Sequence, residues 1–177
     1  MKTISFYSLV LFVAMLLCGG FTACSDDEEG GPEEEVKTTG KFDFSFSLGD
    51  DLLELANVEV TFIDAAGKKT TEEVTAFPWK KTVTFENVPV TVGYKVNVTP
   101  KPGIELTKDK YQVSDTYSNV FYALQGEKVV TVETLVDVSS TLTVPKDKME
   151  QLMSTFSGSY AYKVGADYSC SKTELEF

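Results

Sequence analysis

Lys41-Phe42-Asp43-Phe44-Ser45-Phe46-Ser47-Leu48 alternates polar and apolar residues without a break. Side chains on a strand point to opposite faces in turn, so a period of two puts Phe42, Phe44, Phe46 and Leu48 on one face. Lys41, Asp43, Ser45 and Ser47 fall on the other. A helix would scatter the same phenylalanines around its circumference. The stretch therefore predicts a half-buried strand, and Gly49-Asp50-Asp51 punctuates its end.

The pattern repeats outward from there. Val58, Val60 and Phe62 alternate with Glu59 and Thr61, and Ala66-Gly67 turns the chain. Thr82 to Phe85 reads as a third strand, with Pro89 marking an edge or a strand end. Tyr94, Val96 and Val98 alternate with Lys95, Asn97 and Thr99 before Pro100 and Pro102. Ser118–Leu124, Lys128–Val136 and Val138–Val144 follow, the last either a continuation or a separate strand after a bulge. Residues 147–156 hold the one segment suited to a short helix, and Tyr160, Tyr162 and Val164 lead into a final strand with Cys170–Phe177 as an edge. Seven or eight short strands at this spacing predict an all-β fold, a single antiparallel β-sandwich of immunoglobulin-like size.

Part of this body resembles a known module. Val58-Glu59-Val60-Thr61-Phe62-Ile63-Asp64, Ala66-Gly67-Lys68, Val83-Thr84-Phe85-Glu86-Asn87-Val88-Pro89 and Gly93-Tyr94-Lys95-Val96-Asn97-Val98 are similar to the prealbumin-like domain of carboxypeptidase regulatory domains and collagen-adhesin B repeats. The likeness covers about residues 56–99. It implies a prealbumin-like sandwich with a structural or adhesive role and no catalysis of its own.

The chemistry available is narrow. The chain has no histidine, and all 16 basic residues are lysine. Without histidine, Ser-His-Asp and Cys-His machinery in their usual form and the commonest metal ligand are missing. Without arginine or a basic patch, nucleic acid is a poor partner and bidentate phosphate recognition is disfavoured. No cofactor or metal is expected, and no enzymatic activity. Asp50, Asp51 and Glu54 can be read as a calcium loop, but no twelve-residue ligand pattern surrounds them and a solvated turn is the simpler reading. Cys170 has no partner for an intramolecular disulfide once Cys18 and Cys24 are assigned to the N-terminus, and reads as an inert strand thiol. Among the aromatics, Trp79 and Tyr117 are the candidates for stacking on a sugar ring or a partner protein. The alternative is that Trp79 plugs the sandwich edge and the tyrosines face core or turn.

The N-terminus carries an address. Lys2 precedes an apolar run from Ile4 to Leu17, then Gly19-Gly20 and small residues, which is the layout of a secretory signal. The run is shorter than the roughly 20 apolar residues of a spanning helix, although a retained signal anchor is the rival reading. Phe21-Thr22-Ala23-Cys24 resembles the lipobox of bacterial lipoproteins. That resemblance implies cleavage between Ala23 and Cys24, a diacylglyceryl thioether on Cys24 and an amide-linked acyl chain, so the membrane becomes a partner through lipid. One acyl chain holds marginally, while two or three hold firmly.

Behind Cys24, the stretch to Glu35 has seven acids and Gly30-Gly31-Pro32. Nothing apolar offsets its chain entropy, so residues 24–35 read as a disordered acidic tether. Ser25-Asp26-Asp27-Glu28-Glu29 is similar to the surface-export signal of lipoproteins in Bacteroidetes-type bacteria, which implies an outer-membrane protein facing outward. Retention on the periplasmic leaflet is the other outcome. The expected division is a signal at 1–23, the tether at 24–35 and the sandwich at 36–177. The body then has a net charge of −5 from 20 acids and 15 lysines, ordinary for a soluble surface. The function expected is a lipid-anchored, non-catalytic binding or assembly module of the cell envelope. The alternatives are a glycan-binding accessory lipoprotein of a polysaccharide-uptake system and a pilus-type subunit.

Overall fold

In the computed structural model, residues 37–177 are described, and the signal segment, Cys24 and the acidic tether lie outside them. Nine strands form two antiparallel sheets. In chain order they are β1 (Thr38–Ser47), β2 (Ala56–Ile63), β3 (Lys69–Glu73), β4 (Trp79–Phe85), β5 (Val90–Pro100), β6 (Lys110–Gln125), β7 (Lys128–Pro145), β8 (Gly158–Val164) and β9 (Cys170–Thr173). Two short helices accompany them, α1 (Asp50–Leu55) and α2 (Lys146–Met153), the latter running into a 3₁₀ turn at Ser154–Phe156. One sheet has the order β4-β1-β6-β7 and the other β3-β2-β5-β8-β9. The all-β sandwich read from the alternation is the fold observed, with α2 where a helix was expected.

β1 shows why the alternation sufficed. It lies inside the four-stranded sheet between β4 and β6, and Phe42, Phe44 and Phe46 are buried on its inner face. Phe44 meets the Tyr94 ring of β5 edge-on at 5.4 Å, and Phe42 stacks on Tyr162 of β8 at 5.8 Å. These contacts join the two sheets. A buried side chain of this size contributes about 1.5–3 kcal/mol, and offset or edge-on ring pairs add to that.

Two features depart from the elements expected, and between them one open alternative is decided. β3 was missed: Lys69-Thr-Thr-Glu-Glu73 is exposed at every position, so it has no apolar face to alternate. Lys128–Val136 and Val138–Val144 form one 18-residue strand, with register shifts opposite β6 between Asn119 and Val120 and between Ala123 and Leu124. The Gly49-Asp50-Asp51 turn opens α1 instead. Gly49 enters it at φ +86°, and a Cβ there would stand 3.0 Å from the Ser114 nitrogen and 3.2 Å from the Gln112 oxygen. Glycine is therefore required both by its backbone angle and by the closeness of β6. Leu52 and Leu55 then point into the core and close this end of the sandwich.

Candidate functional site

Of the acids of α1, Asp51 and Glu54 are engaged with protein groups, while Asp50 is exposed. Lys108 Nζ donates to Asp51 Oδ1 at 2.7 Å and to Glu54 Oε2 at 2.8 Å, and the Gln112 backbone N–H donates to Asp51 Oδ2 at 2.7 Å. The hydrogen bond from Lys108, then that from Gln112, holds the Asp51 carboxyl below the usual carboxylate range. These groups form a clasp between α1 and β6, which replaces both the solvated turn and the calcium loop. Among the described residues no three histidine, cysteine or acidic side chains gather as a metal site.

Trp79 and Tyr117 do not form a stacking platform. Trp79 is 7% exposed and Tyr117 6%. The indole packs on Phe46 at 5.3 Å and Tyr94 at 5.2 Å, and its Nε1 donates to Glu72 Oε1 at 2.6 Å. Tyr117 lies between Phe46 at 5.8 Å and Tyr160 at 5.0 Å. A ring already covered on its faces by protein cannot stack on a sugar. Trp79 occupies the edge-plug position instead, pinned by Glu72 of β3. Cys170 lies partly buried at the start of β9, and burial, followed by the nearby charge of Glu133, pushes its thiol up to about 12. It is a poor nucleophile at neutral pH.

The feature that stands out is β7. It is an edge strand that pairs with β6 alone. Val129, Val130, Val132, Val138 and Leu142 are between 44% and 55% exposed, and they account for every large exposed hydrophobic side chain among the described residues. Directly opposed residues of an antiparallel pair point to the same face. Val136, Val138, Leu142 and Val144 oppose Asn119, Tyr117, Val113 and Tyr111, all buried. This side of β7 therefore continues the core surface outward. Val138 and Leu142 on it are left open to solvent, while Val144 is covered. Next to it, Leu142, Val144, Pro145, Lys148 and Leu152 line a shallow groove of about 380 Å³ between β7 and α2.

β7 was not singled out from sequence. Its Val/Thr pattern is that of any half-buried strand, and only the sheet order shows that one side has no neighbour. One signal was present: Val138-Ser-Ser-Thr-Leu-Thr-Val144 is a seven-residue β-prone run with no charge.

No family model, no curated protein and no solved structure matches this chain. Among the described residues, no helix is long and apolar enough to cross a membrane.

Proposed function

We propose that this chain is a lipid-anchored protein of the bacterial outer membrane that acts, without catalysis, as a binding or assembly module. The reading joins two parts. From the sequence come the lipobox-like Phe21-Thr22-Ala23-Cys24 and the acidic tract behind it. From the folded body comes the observation that carries the role, the open edge of β7 with exposed apolar side chains on both of its faces. Proteins ordinarily blunt such edges with charge, proline or a covering element, because unpaired backbone groups invite another strand. Val138–Val144, the part of this edge without charge, proline or bulge, favours strand addition, in which backbone hydrogen bonds bind and alternate side chains select. The pilus-type alternative draws on the same edge. The glycan-binding alternative loses its two stacking residues to the core.

Anchoring is tested by fractionating cells that express Cys24→Ala. The variant should leave the membrane fraction. Retention as firm as that of the wild type overturns the lipid anchor. Neutralising Ser25-Asp26-Asp27-Glu28-Glu29 should abolish digestion of the domain by protease added to intact cells. Unchanged digestion overturns the export role of that tract.

A further inference from the structure

We propose that β7 pairs with β7 of a second copy, antiparallel and centred on Ser140, so that the two four-stranded sheets join into one. This deepens the assembly reading by naming the partner.

The register follows from three observations. First, the longest regular stretch of β7 lies between a bulge and a proline. Asn119 pairs with Val136 and Val120 with Thr134, so Leu135 is the extra residue, and Pro145 ends the strand. The regular stretch is Val136–Val144, and its midpoint is Ser140. Strand pairing across a two-fold axis is isologous, with each contact made twice. Only a register centred on Ser140 uses all of this stretch in both copies.

Second, that register is self-complementary in its side chains. Val138 comes opposite the partner's Leu142, and Val136 opposite the partner's Val144, all on the core side. Ser139 comes opposite Thr141 and Asp137 opposite Thr143 on the other side. The two half-exposed hydrophobics, Val138 and Leu142, thus cover each other. The partner's Val136 arrives beside the groove lined by Val144 and Leu152. Centring on Val138 instead would keep a Val138–Val138 contact but set Val136 against Ser140 and Leu142 against Thr134, so most of the apolar match would be lost.

Third, charge does not oppose pairing along the middle of the strand. No charge falls within Val138–Val144, so nothing in the middle of the strand repels a second copy.

The test uses the full chain in its own envelope, in a Cys170→Ser parent that sets the background. Ser140→Cys places two sulfurs opposite each other across the two-fold axis, within reach of a disulfide, whereas Ser139→Cys leaves them offset along the strands. Mild oxidation should trap a dimer of this chain with Ser140→Cys, at a yield roughly tenfold above Ser139→Cys. Equal yields from the two positions, no dimer, or adducts only to other proteins would overturn the proposal. A charge swap checks the register independently. Val138→Lys alone and Leu142→Glu alone should each weaken dimerisation roughly tenfold. Their combination should restore it, because each lysine then faces the partner's glutamate. Both side chains are about half exposed, so the fold should survive, as circular dichroism will show. Singles that dimerise as wild type, or a double variant that stays monomeric, would also overturn it. Failure here with Cys24-dependent membrane attachment intact removes the second copy as partner and leaves the anchored module standing.

Discussion

The Tyr94 hydroxyl donates to Asn119 Oδ1 at 3.1 Å, and Asn119 Nδ2 donates to the Tyr162 hydroxyl at 3.0 Å. Asn119 is on β6 in one sheet, and both tyrosines are on the other. The amide thus ties the two layers together through the middle of the core, where it is fully buried. No buried side-chain polar atom among the described residues is left without a hydrogen bond.

Removing the amide should therefore cost more than its own bonds. Asn119→Leu leaves two buried phenols without their partner, at a cost of about 2–4 kcal/mol. Adding Tyr94→Phe and Tyr162→Phe removes the stranded hydroxyls and should recover part of that loss. Urea unfolding of the single and triple variants measures both. A neutral Asn119→Leu, or a triple variant less stable than the single, contradicts the network described.

Trp79 should behave as core. It is the sole tryptophan, so its emission reports this site alone. Native emission should be blue-shifted and move red on unfolding, and Trp79→Ala should destabilise the domain by about 3–5 kcal/mol. A native spectrum like that of free tryptophan would contradict its placement against Phe46 and Tyr94.

Close backbone approach at Gly93 gives a sharper test of the β5–β8 pairing. A Cβ there would lie 2.4 Å from the Tyr160 carbonyl oxygen and 2.8 Å from the Ala161 Cα. Both obstacles are backbone, so the strands themselves must part. Gly93→Ala should cost at least about 1–3 kcal/mol in chemical denaturation. Wild-type stability would mean that β5 and β8 are further apart than described.

Stability should fall at both pH extremes, for opposite reasons. Burial raises the phenols of Tyr94, Tyr117, Tyr160 and Tyr162 above their ordinary value, and raises the Cys170 thiol. The unfolded chain loses these protons first, near pH 8.5 for the thiol and about 10 for the phenols. Their stabilising contribution is therefore complete below those values and is lost as pH climbs toward the folded-state values. Tyrosinate absorbance should appear together with unfolding, and Cys170 should react with a thiol reagent far faster in urea than in the native state. In acid the sign reverses. Asp51, held low chiefly by its hydrogen bond from Lys108, contributes above the ordinary carboxylate range and loses that contribution as pH falls through its lowered value. Asp51→Asn should flatten the acid limb of the stability profile. An unchanged limb would show that the clasp does not form.

Much of the fold was legible because burial writes a period into a strand. Phe42-x-Phe44-x-Phe46 gave β1, and Tyr94-x-Val96-x-Val98 gave β5, since each strand has one face on the core. β3 was illegible for the converse reason: it buries no side chain. α1 was hidden because Gly49-Asp50-Asp51 carries the chemistry of a turn and of a helix start alike. The distinction rests on Leu52 and Leu55 finding the open end of the sandwich. Trp79 and Tyr117 illustrate the same limit for sites. Residue type marks a ring that can stack, but only tertiary packing decides whether its faces are free. The edge status of β7 is a property of sheet order, and no local pattern in Lys128–Pro145 encodes it.

Attachment through Cys24 is tested most directly by the mass of the N-terminal peptide of the protein purified from its native envelope. The expected result is a mature chain that begins at Cys24, with a diacylglyceryl group on its sulfur and an acyl chain on its amine. An unmodified cysteine, or a chain that still carries residues 1–23, would contradict it.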